Sequence, residues 1–126
     1  MKILVFGARD WLSDAIIFRV LSKLPDTTTL IHGAARGADE TAGRIGRKLG
    51  LEIREYPISD ADWREHGKKA GPMRNAQMIT DEHPDSDGVL IDKAFGFSTG
   101  RQNRGTHDMA EKLWKAGIRF EILFPL

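Results

Sequence analysis

The chain has 126 residues, of which 40% are apolar and 29% are charged, and its formal net charge is +1. This length suits one domain with one core. The near-neutral charge argues against duplex DNA as the main partner, because general nucleic-acid binders are usually far more basic. The absence of cysteine excludes disulfides, thiolate zinc sites and cysteine nucleophiles, and it suits a reducing compartment.

The first ten residues, MKILVFGARD, contain only a short apolar run before charged residues follow. The run is too short for a signal peptide or a membrane span. It predicts a first β-strand buried on both faces. We therefore expect a soluble, cytoplasmic protein with no membrane partner.

Short apolar runs predict strands, and apolar side chains at helical spacing predict helices. In chain order, the predicted elements are a strand over residues 2–7, a helix over 11–24, a strand over 28–33, a helix over 38–49, a strand over 51–56, a helix over 71–79, a strand over 87–92, a helix over 106–117 and a strand over 118–124. The longest irregular stretches are predicted over 57–69 and 93–104. The alternation predicts one α/β domain over residues 1–126, with about five mostly parallel strands and helices on both faces.

The turns at the predicted helix starts pair glycine with arginine or lysine. In an open parallel sheet, ligands bind beyond the carboxyl ends of the strands. Helix N-termini and guanidinium groups there suit an anion. The candidate ligand-binding residues are Gly7, Arg9, Asp10, Gly33, Ala35, Arg36, Gly37, Lys69, Arg74, Asn75, Gly100, Arg104, Gly105 and Thr106. They predict a site for a nucleotide or ribose phosphate at the carboxyl ends of the first, second and fourth strands.

Each of these clusters has a purely structural alternative. Asp39 lies in the first turn of a predicted helix, where it would offset the helix dipole. Asp108 would be an exposed acid in the first turn of another helix. The basic residues around Lys69 would form a solvated loop.

Standard cofactor and metal motifs do not occur in the sequence. It contains neither G-x-G-x-x-G nor a Walker A motif. The segment GFSTG has the letters of a serine-hydrolase motif, but a polar loop follows Ser98 where that motif requires a helix. The four histidines lack metal-binding spacing. We therefore expect no cofactor and no bound metal.

Four segments, FGARD, IHGAARGAD, WREHGKKAGPMRNAQM and RGTHDM, occur in this order over nearly the whole chain. Together they resemble the YspA-like family of the SLOG superfamily, which is named after the SMF/DprA and LOG proteins. The resemblance implies a single SLOG-like, Rossmann-like domain that binds a nucleotide or nucleotide-derived ligand. Small proteins of this branch are common in bacteria and their phages.

The LOG relatives are phosphoribohydrolases, which cleave the N-glycosidic bond of a nucleoside monophosphate. Their signature is P-G-G-x-G-T-x-x-E, and the corresponding segment here is STGRQNRGTHDM. Gly105 and Thr106 match the G-T, but Met109 stands in place of the glutamate. Cleavage develops positive charge on the sugar, which a carboxylate would stabilise. The candidate catalytic residues are therefore Asp39 and Asp108, with Asp10 as a further acid at the site.

Three functions remain in competition. The first is a binding module that senses or sequesters a nucleotide-derived ligand, and the second is a phosphoribohydrolase-like enzyme. The third and weakest is single-stranded nucleic acid binding, which would need aromatic platforms; Trp11 and Trp63 are the candidates. The resemblance to LOG proteins, which dimerise, also leaves a homodimer as an alternative to a monomer. Its interface would use apolar residues such as Met73, Met78 and Trp114, unless these residues pack in the core.

Overall fold

The structure is a computed structural model that describes residues 1–84, 88–101 and 103–125. The five strands of its sheet are β1 (Lys2–Gly7), β2 (Thr29–His32), β3 (Glu52–Glu55), β4 (Lys93–Phe97) and β5 (Phe120–Leu123). The α-helices are α1 (Asp14–Leu21), α2 (Ala38–Lys48), α3 (Asp60–His66), α4 (Ala70–Glu82) and α5 (Arg104–Lys115). A short 3-10 turn, Gly67–Lys69, joins α3 to α4.

All five strands are parallel, in the order β3-β2-β1-β4-β5. Leu4 in the central strand is in register with Ile31 of β2 and with Ala94 of β4. The chain winds outward from β1 to β3 on one side and then returns to build β4 and β5 on the other. The strand order therefore reverses between β1 and β4, and ligands of such folds bind in the crevice at this point.

Two apolar layers lie on opposite faces of the sheet. Ile3 and Val5 of β1 pack with α1 and α2 in one layer. Leu4 and Phe6 pack with α4 and α5 in the other. Because successive side chains of a strand point to opposite faces, β1 is buried on both sides. The predicted α/β fold with helices on both faces is confirmed.

The predicted position of the fourth strand was wrong. We expected it over residues 87–92, and residue 87 lies outside the described residues. The structure places β4 at Lys93–Phe97, inside a stretch predicted to be irregular. The reason is the packing against β1: a Cβ atom at Gly96 would lie 2.6 Å from the Phe6 ring, so the central pairing needs a small residue that a sequence pattern does not favour in a strand.

The sequence pattern also predicted no helix in the polar stretch over residues 57–69, where the structure has one. Helix α3 occupies Asp60–His66, and Ser59 caps it by accepting a hydrogen bond of 3.0 Å from the Asp62 N–H. None of its residues is buried. It therefore lacks the apolar stripe from which helices are recognised, and only its cap indicates it.

A buried ion cluster joins the start of β1 to the end of α4. The Lys2 Nζ lies 3.2 Å from the Glu82 carboxylate, and both side chains are buried. Arg54 and Tyr56 donate to the same carboxylate at 2.8 and 2.6 Å. Burial raises the pKa of Glu82, but these hydrogen bonds outweigh it, and the pKa lies below its ordinary value. Because its carboxylate is fully engaged by protein groups, we interpret Glu82 as a residue that stabilises the fold and does not bind a ligand.

Removal of the Glu82 carboxylate should therefore destabilise the fold. We expect Glu82→Ala to lower the free energy of unfolding by about 3 kcal/mol, because Lys2 would remain buried without its counter-ion. Urea unfolding at neutral pH measures this. Glu52→Ala is the matched control: this carboxylate also contacts Arg54 but is exposed, so its loss should cost less than about 1 kcal/mol. Equal effects of the two variants would contradict a structural role for the buried cluster.

Candidate functional site

A small cavity of about 70 Å³ lies where the carboxyl ends of β1 and β2 meet the first turns of α4 and α5; we call it the inner cavity. Eight of the predicted site residues line it: Gly7, Arg9, Gly33, Ala35, Asp39, Arg74, Asn75 and Gly105. Its apolar floor includes Met78 and Met109. The structure thus brings residues from all four predicted helix-start turns together at the switch point of the sheet.

Backbone hydrogen bonds hold the loops around this cavity together. The Ala8 N–H donates to the Phe97 carbonyl at 2.8 Å, and the Ala38 N–H donates to the Ala8 carbonyl at 3.1 Å. Gly37 has a φ of 79°, and a Cβ atom there would collide with the Ala8 carbonyl. Gly37 thus allows this close approach, although it does not line the cavity itself.

Asp39 is the central polar group of the inner cavity. It is 5% exposed, and its Oδ2 accepts hydrogen bonds from the N–H groups of Gly33 and Ala35 at 3.1 and 3.3 Å. No described residue donates to its Oδ1. Burial raises the pKa of Asp39 to about 6, although Arg74, these two N–H groups and Arg9 oppose the shift. Asp39 therefore lines the inner cavity and retains one buried carboxylate oxygen without a partner among the described residues.

Arg74 reaches from α4 to the loop after β2. Its Nη1 donates to the carbonyl oxygens of Gly33 and Tyr56, and its Nε donates to the Asn75 side chain at 3.1 Å. The guanidinium occupies the space that a Cβ atom at Gly33 would need. Burial lowers the pKa of Arg74 from its ordinary value, while Asp39 opposes that shift. Arg74 shapes the cavity and brings positive charge close to Asp39.

Asp108, the second predicted catalytic residue, does not line the inner cavity. Its Oδ2 accepts from Asn75 at 3.0 Å, and its Oδ1 forms a 2.6 Å ion pair with Lys112. Both carboxylate oxygens are therefore engaged by protein groups. Met109, at the position of the LOG glutamate, faces the inner cavity instead and is 1% exposed.

A second cavity of about 520 Å³, the outer cavity, lies on the other side of the α5 N-terminus. The predicted residues Gly100, Arg104 and Thr106 line it together with Arg101. Asn103 lines both cavities and caps α5 by accepting from the Thr106 N–H at 3.0 Å. The sequence reasoning missed Asn103, although an asparagine before a helix is a recognised N-cap signal.

Besides Gly37, three predicted ligand-binding residues line neither the inner nor the outer cavity. Asp10 is exposed and accepts a hydrogen bond from the Thr99 hydroxyl at 3.2 Å. Arg36 and Lys69 are also exposed.

Some of the residues considered for base stacking or for a dimer interface lie in the core, and the others lie on the surface. Trp11 is 2% exposed, packs edge-to-face on Phe97 at 5.3 Å and donates to the Ser13 carbonyl. Of the two tryptophans proposed as stacking platforms, only Trp63 therefore has an accessible face. Met78 is buried, whereas Met73 and Trp114 are exposed.

His32 is a further site-related residue that the sequence reasoning did not select. It is 2% exposed, and its Nδ1 accepts from the Ala34 N–H at 2.9 Å. Ala34 has a φ of 58°, a left-handed conformation that is rare for alanine. Burial lowers the pKa of His32, which favours the neutral imidazole that this acceptor role requires. In the sequence, only its position directly before Gly33, at the end of a predicted strand, indicated that His32 lies near the candidate site.

The described residues contain no cluster of three side chains suited to hold a metal ion. Within the same residues, no helix combines the length and apolar character needed to cross a bilayer.

Comparison with known proteins identifies the family. The model of the YspA, cpYpsA-related SLOG family matches residues 1–66, which carry Arg9 and Asp39. Gene 61 protein of Mycobacterium phage D29 is 32% identical over 124 residues, covering 93% of this chain and 91% of that protein. The chain belongs to the YspA, cpYpsA-related SLOG family. The resemblance deduced from the sequence motifs is thereby confirmed.

The fold of this SLOG protein has a solved counterpart. DNA processing protein A (DprA) from Streptococcus pneumoniae superimposes with a TM-score of 0.76 at 15% sequence identity. The match covers 99% of this chain and 50% of the DprA chain. At this identity the likeness establishes the Rossmann-like fold of the SLOG protein.

The raised pKa of Asp39 predicts a pH-dependent effect on stability. The folded-state pKa of about 6 lies above the unfolded value, so the folded state binds the proton more tightly, and stability is lost as pH rises through about 6. A shift of this size corresponds to up to about 3 kcal/mol. An asparagine can keep the bonds to Gly33 and Ala35 without the buried charge. Asp39→Asn should therefore be about 1–3 kcal/mol more stable than the wild type at pH 8.

Urea unfolding between pH 4 and pH 8 measures this difference, which should shrink towards pH 4. Asp10→Asn, which alters an exposed carboxylate in the loop after β1, is the control. Its stability relative to the wild type should not change between pH 4 and pH 8. A loss of stability at pH 8 in Asp39→Asn would contradict the assignment of Asp39 as a costly buried charge.

Proposed function

We propose that this SLOG protein binds a nucleotide or nucleotide-derived ligand that carries a ribose phosphate, and that it acts as a sensor or sequestering module. The observation that carries the proposal is the unpartnered Oδ1 of buried Asp39 in a cavity at the switch point of the sheet. A buried charge without a full set of partners is costly. A ligand hydroxyl that donates to Oδ1 would supply the missing hydrogen bond.

The charges around the inner cavity support an anionic ligand. Arg9 and Arg74 line it with the single carboxylate of Asp39, so cationic side chains are in excess. Arg74 already donates to backbone carbonyls, whereas Arg9 is exposed and free to approach a phosphate. Membership in a SLOG family agrees with a nucleotide-related ligand.

Two observations favour binding without turnover. The position of the LOG glutamate is held by Met109, whose thioether cannot act as a carboxylate. Asp108, one residue earlier, is bonded to Asn75 and Lys112.

A nucleic-acid partner, which the name of DprA suggests, has less support here. The net charge is only +1, and Trp11 is buried.

Calorimetric titration with the four ribonucleoside monophosphates tests the proposal. We expect wild-type binding, and we expect Arg9→Gln to weaken it by about 1.5–3 kcal/mol, the scale of a charge-assisted hydrogen bond. Lys48→Gln removes an exposed charge at the end of α2 and should leave affinity unchanged. Equal losses in both variants would indicate diffuse electrostatic attraction, and no binding to the wild type would overturn the proposal.

A phosphoribohydrolase activity is the second candidate, favoured by one observation. Asp39 combines a pKa of about 6 with an unpartnered oxygen in the inner cavity, and perturbed carboxyl groups in clefts are frequent at catalytic sites. If the protein is an enzyme, incubation with a nucleoside monophosphate should release free base, detectable by chromatography. Asp39→Asn should abolish that release. Asp108→Asn, outside the cavity, should retain it, and loss in Asp108→Asn alone would reverse the assignment of the two acids.

A further inference from the structure

The inner cavity is too small to hold a whole nucleotide. Its volume of about 70 Å³ lies well below the 300–1,000 Å³ or so of typical ligand pockets. The outer cavity, with about 520 Å³, lies within that range. Asn103 lines both, so the two cavities adjoin at the start of α5.

The two cavities differ in chemistry. The inner cavity combines the Asp39 carboxylate, one oxygen of which has no partner among the described residues, with the cationic side chains of Arg9 and Arg74. The outer cavity combines two arginines, Arg101 and Arg104, with apolar side chains from β5 and the residues after it. Phe124 is 57% exposed there, so its ring is accessible to a planar partner.

The shape of a ribonucleotide matches this division. In the ribose ring, the 2′ and 3′ hydroxyls lie on one face at the edge opposite the ring oxygen, whereas the base and the C5′ arm that carries the phosphate project from the other face. A nucleotide that enters with this edge first brings two hydroxyl donors and little volume to the inner cavity. Its base and phosphate then both point outward.

On the basis of the proposed function, we propose that a ribonucleotide binds with its 2′,3′-diol at Asp39 in the inner cavity and its base against Phe124 in the outer cavity. Ile122 and Ala110 extend the apolar surface under the base. The phosphate then points outward, within reach of Arg9 at the inner cavity and of Arg101 and Arg104 at the outer one. Asn103 stands at the boundary between the two cavities.

The outer site therefore selects for a base, and the inner site selects for a ribose over a deoxyribose. Base stacking on an aromatic side chain corresponds to roughly 5- to 100-fold in affinity. A hydroxyl that donates to a carboxylate corresponds to roughly 10- to 100-fold. The two effects are separable because Phe124 and Asp39 line different cavities.

Calorimetry with three probes tests this arrangement: the ribonucleoside monophosphate that binds most tightly, its 2′-deoxy analogue, and ribose 5-phosphate. We expect the wild type to bind the ribonucleotide at least about 10-fold more tightly than either other probe. Phe124→Ala should remove the advantage over ribose 5-phosphate and leave ribose 5-phosphate affinity unchanged. Asp39→Asn should remove the preference for ribose over deoxyribose and retain the contribution of the base.

Phe18→Ala is the matched control, because Phe18 is similarly exposed at 51% but lies on α1 away from both cavities. It should change no affinity, and circular dichroism checks that every variant folds. Failure of all four ribonucleoside monophosphates to bind would overturn the proposed function. Binding in which Phe124→Ala weakens ribose 5-phosphate equally, or does not weaken the nucleotide, would leave that function standing and overturn the two-cavity arrangement.

Discussion

The candidate site depends on how one buried carboxylate and one half-buried guanidinium hold the loop after β2. Asp39 accepts from the N–H groups at both ends of the Gly33–Ala35 segment, and Arg74 donates to the Gly33 carbonyl from the opposite side. Gly33 has no side chain because the guanidinium fills that space. Since the loop is held from both sides, its backbone defines one wall of the inner cavity before any ligand arrives. This preorganisation lowers the entropic cost of binding.

Two buried polar atoms without hydrogen-bond partners and one left-handed residue lie in or beside this loop. Ala34 has a left-handed backbone conformation, and the His32 Nε2 and the Asp39 Oδ1 lack partners among the described residues. The other buried carboxylate, Glu82, has donors from Lys2, Arg54 and Tyr56. The comparison separates two uses of buried charge. At Glu82 the charge is satisfied and joins secondary-structure elements, whereas at Asp39 it is left partly unsatisfied, which is typical of a position that a ligand completes.

Helix α5 divides the predicted site into two parts. In the sequence, Gly100, Arg104, Gly105 and Thr106 lie together around one predicted helix start. In the structure Gly105 lines the inner cavity, whereas Arg104 and Thr106 line the outer one. The Thr106 N–H donates to the Asn103 side chain. Consecutive residues of a helix point in different directions, so neighbours in the sequence separate into different environments. The same geometry turns Met109 towards the cavity and leaves Asp108 with Lys112.

Local patterns in the sequence determined the fold class, the parallel sheet and the family, and they indicated the edge of the sheet at which the candidate site lies. They did so because strand and helix periodicity are local properties and the family motifs lie at strand ends. Tertiary packing decided the rest. It placed β4 at Lys93–Phe97, where a glycine fits against Phe6, and it buried Trp11 against Phe97. It also decided which acid lacks a full set of partners. Both acids follow a predicted helix start in the sequence, but the structure begins α5 at Arg104, so Asp108 lies beyond its first turn. There Asn75 and Lys112 engage it, whereas Asp39 lies beside an open cavity.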